Sequence, residues 1–262
     1  SIRQAKRRKR ISLKHWTIGA AAASALFIGS VNISPAMANS FANIPVLGSI
    51  VEVLTVQQLT IDEENYQAEL NTPAIQGLEN GELQTTLNEK YLEENKALFE
   101  QFEQEMAEMK QNGNGHLGVN TIYEVKTDTE QIFSLARYEV HTNASSFTTL
   151  KYDTIDKQRN ILITLPSLFK DDQYIERIST YIKKEMKRQM TLDQTVSYFL
   201  DKEFTGDFEQ INADQSFYIT SNHKLVISFD EYEVAPGYMG VVKFTIPSEL
   251  LTDLLVNDIY IR

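Results

Sequence analysis

Three acidic side chains, Asp230, Glu231 and Glu233, sit close together in KLVISFDEYEV, and a pair of carboxylates is what most glycosidases use to cut a sugar bond. If residues 224–234 form one strand, Glu231 and Glu233 share a face at about 7 Å, a spacing suited to general acid and base work. That chemistry also needs one carboxyl with a raised pKa, and nothing in the neighbouring sequence supplies it. Acids exposed beside a turn are ordinary. The four histidines, His15, His116, His141 and His223, are isolated from one another, as turn or surface residues are, and there is no cysteine. Disulfides, thiolate metal sites and thiol nucleophiles are therefore excluded. The chain has no G-x-S-x-G, no P-loop and no H-E-x-x-H. It reads as a non-enzyme with no cofactor and no metal.

Binding chemistry is better represented. In APGYMG, residues 235–240, Pro236-Gly237 suits the central positions of a type II turn. Such a turn would present Tyr238 and Met239 from a loop whose backbone is set in advance, lowering the entropy cost of contact. Tyrosine is enriched at interface hot spots and methionine adapts to irregular surfaces, so binding is favoured narrowly over a loop that covers its own core. A second tip, Asn143-Ala144-Ser145-Ser146, joins two runs rich in β-branched and aromatic residues, QIFSLARYEVHT and SFTTLKYDTID.

The elements that carry these tips follow from periodicity. Residues 56–70 read as a strand with a turn at Thr72-Pro73. Leu83, Leu87, Tyr91, Leu98, Phe102, Met106 and Met109 mark a long helix from Glu82 to Lys110, stopped by QNGNG. VNTIYEVKT and ILITLPSLF read as further strands. Asp171 or Asp172 caps a helix carrying Ile175, Ile178, Ile182, Met186 and Met190. SFYIT and KLVISFDEYEV are strands around Ser221-Asn222-His223. VVKFTI follows the APGYMG loop, and PSELLTDLL is a short helix capped by Ser248. No regular βαβ period appears. The fold class is α+β: mostly antiparallel sheets with packed helices in two subdomains, preceded by one transmembrane helix.

That helix comes from the N-terminal end. Residues 1–38 hold seven basic side chains and no acidic one; removing those seven from the formal −11 leaves −18 for residues 39–262. No charge occurs between His15 and Glu52, and residues 16–38 are long enough for a span of about 20 residues. The basic cluster puts the N-terminus in the cytoplasm, and Trp16 suits the interface. Small residues beyond Pro35 also suit signal peptidase, at Ala36-Met37-Ala38 or at Ala38-Asn39-Ser40 before Phe41. The spacing of Val46/Leu47, Ile50/Val51 and Leu54 predicts a short amphipathic helix near that site. The chain begins at Ser1 rather than Met, so a further cytoplasmic segment is expected upstream. An acidic body repels nucleic acid and draws cationic partners.

Across about Lys9 to Arg262, stretches such as NIPVLGSIV, TPAIQGL, NASSFT, SLFKDDQYIERIS, DQSFYIT and HKLVISFDEYEVAPGYMGV resemble the membrane-anchored anti-sigma factors of SigV-type extracytoplasmic-function sigma factors. The outer part is also similar to the non-catalytic domains of PdaC-type peptidoglycan deacetylases. The resemblance implies a single-pass protein of the cell membrane with its C-terminal domain outside, acting as receptor and inhibitor of C-type lysozyme. On lysozyme binding, signal peptidase and then a site-2 intramembrane protease release the sigma factor. It implies lysozyme contacts at Ser145, Ser146, Phe147, Pro236, Gly237, Tyr238 and Met239, and cleavage at Ala38, Asn39, Ser40 and Phe41. The chain then divides into a cytoplasmic segment 1–15, a span 16–38, a juxtamembrane region 39–55, and ectodomain subdomains 56–158 and 159–262. The alternative is a peptidoglycan-binding or lysozyme-inhibiting module without sigma control.

Overall fold

Two strands, not one, open the folded part. The computed structural model describes residues 51–113, 115–200 and 207–262. β1 (Glu52–Glu63) turns at Glu64-Asn65 into β2 (Tyr66–Gln76), which runs straight through the expected turn at Thr72-Pro73. Pro73 lies opposite Thr55, beside a register shift between Thr55 and Gln57. A residue without an N–H is tolerated there because the ladder is already interrupted. Leu54 belongs to β1, so the amphipathic helix expected up to that residue gives way to extended chain from Glu52; its upstream residues lie outside those described. The span 16–38 and the cleavage residues Ala38, Asn39, Ser40 and Phe41 also lie outside them. Among the described residues no helix is long and apolar enough to cross a membrane.

α1 (Gly81–Asn112) begins where the Asn80 side chain accepts hydrogen bonds from the amides of Glu82 and Leu83, and ends at Gly113, whose φ of 104° closes the last turn. Its apolar stripe buries Leu87, Tyr91 and Phe102, as the periodicity predicts. Polar residues share the buried face. Asn88 donates to the Ile75 carbonyl (2.9 Å) and accepts from the Ile75 amide (2.8 Å), and Asn95 donates to the Thr72 hydroxyl (2.9 Å). These amides brace β2 on either side of Pro73.

α1 carries the chain over to β3 (Leu117–Asp128), which pairs parallel with β2. β4 (Ile132–Asn143), β5 (Ser145–Asp156) and β6 (Ile161–Ile163) complete a six-stranded sheet in the order β1-β2-β3-β4-β5-β6, antiparallel at every other junction.

After a 3-10 turn at Pro166–Leu168 comes α2 (Gln173–Leu192). Asp171 accepts from the Gln173 amide at 3.0 Å, while Asp172 makes no side-chain cap. Ile178, Ile182 and Met186 are fully buried against β7 (Phe217–Ile219), β8 (Leu225–Phe229) and β9 (Val242–Ile246), an antiparallel sheet in that order. The expected helix over PSELLTDLL is a single 3-10 turn, Ser248–Leu250. Ser248 does not cap it: it lies inside the turn after Pro247, and its hydroxyl accepts from the Lys224 ammonium and donates to the Arg262 carbonyl, each at 3.1 Å.

The two sheets are joined. Ile132 and Ile163 pack in the core of the C-terminal sheet, Thr127 donates to the Ile219 carbonyl (2.6 Å), and the Tyr260 hydroxyl donates to Asp156 (2.6 Å). Among the described residues the architecture is α+β, with a mixed six-stranded sheet, a three-stranded sheet and two helices.

Candidate binding site

β5 runs past its short partner β6, which reaches only Thr154, so the start of β5 has free backbone groups on that side. Buried backbone groups must find partners. They find them in the C-terminal sheet and the loop after β8. The Glu231 amide donates to the Thr148 carbonyl (3.0 Å), the Leu150 amide donates to the Asp230 carboxylate (2.7 Å), and the Ser216 hydroxyl donates to the Leu150 carbonyl (2.9 Å). Two loops about 90 residues apart in the chain are thereby fixed side by side.

The first loop is the β4–β5 tip. Asn143 pairs with Ser145 across Ala144, whose φ is 57°, and the hairpin expected there is formed. Ser146 donates to the His141 carbonyl at 3.2 Å. Phe147 is 39% exposed and stacks on His141, with ring centroids 4.7 Å apart and an interplanar angle of 5°. Ser145 is exposed. Beneath them, the His141 imidazole at 3.7 Å and the Lys151 ammonium at 3.1 Å hold the Glu139 carboxyl down at about 2, against the opposing effect of burial.

The second loop, residues 230–241, corrects two expectations. β8 stops at Phe229, and residues 231–233 form a turn, so Glu231 and Glu233 do not share a strand face. The Glu233 carboxylate is occupied by the Asp230 amide (2.7 Å) and by the Gln215 side chain (3.0 Å). Asp230 is titrated upward by burial, against the Leu150 amide that lowers it, but its oxygen holds that amide and the group is structural. Glu231 and Glu233 are therefore not placed as a pair for glycosidase chemistry. Among the described residues, no group of three metal-binding side chains is placed to hold an ion.

The Pro236-Gly237 turn is also not of type II. Gly237 does not adopt a positive φ; it starts a 3-10 turn, Gly237–Met239, with Met239 donating to the Pro236 carbonyl (2.9 Å) and Gly240 to the Gly237 carbonyl (2.9 Å). Gly240 takes the positive φ instead, at 62°. Tyr238 points outward, 70% exposed, its hydroxyl donating to the Thr195 carbonyl at 3.1 Å. Met239, expected beside it at the surface, packs against the C-terminal core and is only partly accessible. Pro236 and Gly237 are half-buried.

Thus Thr148 and Leu150, which follow Ser145, Ser146 and Phe147 along β5, bond the start of the loop that goes on to Pro236, Gly237 and Tyr238, while Met239 packs against the core. Sequence reasoning missed two members. Thr195, from the segment after α2, supplies the acceptor for Tyr238, and no local signal marks it. Tyr232 is 49% exposed with a φ of 69°, and its neighbours in DEYE suggest only a solvated turn. His223 does other work: it contacts the Tyr260 carbonyl (3.2 Å) and Arg262 (2.8 Å) at the C-terminal end.

Comparison with known proteins places this geometry in a family. A family model described as a protein of unknown function, DUF3298, matches residues 166–249, and one described as a domain of unknown function, DUF4179, matches residues 8–99. A solved member of the DUF3298 family from Bacteroides fragilis superposes with a TM-score of 0.52 at 14% identity, covering 80% of this chain and 95% of its own. A second, from Pseudomonas aeruginosa, gives 0.54 at 11% identity, covering 82% and 98%. At that distance the likeness concerns the fold. The anti-sigma-V factor RsiV of Bacillus subtilis is 46% identical over 263 residues, covering 100% of this chain and 90% of that protein, and it is a regulatory protein, not an enzyme. The chain belongs to the RsiV family of anti-sigma factors.

Proposed function

We propose that this protein is a single-pass anti-sigma factor of the cell membrane, with its N-terminus in the cytoplasm and its folded C-terminal part outside. Its cytoplasmic end holds a SigV-type sigma factor, and its exterior binds and inhibits C-type lysozyme. The observation that carries the reading is the near-complete coverage of an anti-sigma factor at 46% identity. The joined loops support the lysozyme contact: Phe147 and Tyr238 are exposed aromatics on backbones held by hydrogen bonds, which limits the entropy lost on binding. The formal −18 beyond residue 38 suits a basic enzyme.

Release of the sigma factor then follows from cleavage at Ala38–Phe41 by signal peptidase and in the span by a site-2 protease. Lysozyme must favour the cleavable state over the protected one, since equal affinity for both would shift nothing. Calorimetry of the full chain in nanodiscs against hen egg-white lysozyme tests the contact. Binding should weaken with salt, and Tyr238→Ala should cost about 2 kcal/mol or more, roughly thirtyfold. No heat at low ionic strength, or anchor cleavage in cells equally fast with and without lysozyme, removes the receptor reading. Retention on purified peptidoglycan in place of lysozyme would favour a wall-binding module.

A further inference from the structure

Tyr232 adopts a backbone that bulky side chains rarely take, with φ at 69°. It is half-exposed, yet its ring does not simply lie in solvent. A Cβ built on Gly237 would stand 2.3 Å from the Tyr232 ring and hydroxyl, and 2.6 Å from a second ring carbon. The tip of the Tyr232 ring therefore occupies the space where any other residue at 237 would put its side chain. A strained residue persists only when its surroundings hold it there, and such residues gather at binding sites.

We infer that Tyr232 is a positioning residue for the 236–240 knob and forms a second aromatic flank beside Tyr238. The ring buttresses Gly237, the first residue of the 3-10 turn that carries Tyr238 outward. Tyr238 is held from its other end by the Thr195 carbonyl. At the base of the turn, Glu233 ties back to the Asp230 amide and to Gln215, and the Glu231 amide donates to the Thr148 carbonyl, so both neighbours of Tyr232 are anchored. On this account the tip of the Tyr232 ring fills the side-chain space that Gly237 leaves open. This assignment rests on the proposed lysozyme contact only for its ligand; the buttress itself is a property of the free protein.

Tyr232→Gly separates positioning from folding. Glycine accepts φ 69° without strain, so the variant should melt at or above the wild-type temperature. It removes the ring, so amide exchange at Met239 and Gly240 should accelerate in the free full-length protein, and affinity for hen egg-white lysozyme should fall about tenfold, less than for loss of Tyr238 itself. Tyr232→Phe, which keeps the ring, should restore both readouts. Gly237→Ala alone should weaken binding, but added to Tyr232→Gly it should cost nothing further, because the ring it would strike is gone. Unchanged exchange at Met239 and Gly240 in Tyr232→Gly overturns the inference whether or not lysozyme binds. Additive losses in the double variant overturn it too. If the wild type fails to bind lysozyme while the exchange pattern appears, the buttress stands and the receptor reading falls.

Discussion

Asp230 is a sharp place to perturb, because one side chain joins the two candidate loops. Its carboxylate accepts the Leu150 amide at 2.7 Å, and Leu150 is only 2% exposed. Asp230→Ala leaves that N–H without a partner and with little access to water, a loss of about 1–3 kcal/mol. If the loss is local, opening of the segment around Leu150 should become roughly 5- to 150-fold more frequent. Asp230→Asn keeps an oxygen for the same N–H and removes a charge that burial disfavours and that Glu233 and Glu139 repel. The sign is clear. A carboxyl whose folded pKa is raised contributes stability at low pH that is lost as pH rises through that folded value. The Asn variant should therefore be as stable as the wild type at neutral pH, or more so. Hydrogen exchange followed by mass spectrometry on peptides spanning 147–152 and 228–240 reads both changes. The reasoning is refuted if Ala leaves exchange in 147–152 unchanged, or if Asn opens that segment as much as Ala does.

Further tests reach the fold and its pH response. Arg137 is buried between Glu94 and Asp153 with its guanidinium 4.3 Å from the centre of the Tyr91 ring, so Arg137→Met should destabilise by about 3–5 kcal/mol in chemical denaturation, offset in part by the Lys90 that also pairs with Asp153. Asn88→Ala strips both partners from the Ile75 peptide groups and should cost about 2–4 kcal/mol by the same measure. Because His141 and Lys151 hold Glu139 at about 2, its stabilising contribution is present above the ordinary carboxylate pKa and is lost as pH falls from there towards 2. Glu139→Gln should flatten that acid limb of the stability profile.

Much of the architecture was legible wherever local rules and burial agree. The stripe from Leu83 to Met109 and the glycines of QNGNG mark α1 without reference to neighbours, and the β-branched and aromatic runs either side of Asn143-Ala144-Ser145-Ser146 mark the β4–β5 hairpin. Reading failed where a distant partner decides. Pro73 looks like a turn until β1 supplies an interrupted ladder opposite it. Glu231 and Glu233 look like a strand pair until the start of β5 claims the Asp230 carboxylate and the Glu231 amide and turns the chain. Ser248 looks like a cap until Lys224 and the Arg262 carbonyl engage its hydroxyl and Pro247 takes the cap position.

The same division holds for the candidate site. Composition and order of residues alone determined the basic start, the acidic remainder, the lack of cysteine and the two tips rich in turn formers, since these depend on side-chain chemistry and short-range backbone preference. Only the tertiary structure decided which residues stand together. Thr148 accepts from the Glu231 amide, Thr195 accepts from the Tyr238 hydroxyl, and the Tyr232 ring tip packs over Gly237, and such contacts leave no periodic trace in the chain. Met239 turned inward for the same reason: a hydrophobic side chain at a loop tip follows whatever core lies beneath it, and that core was assembled by other segments.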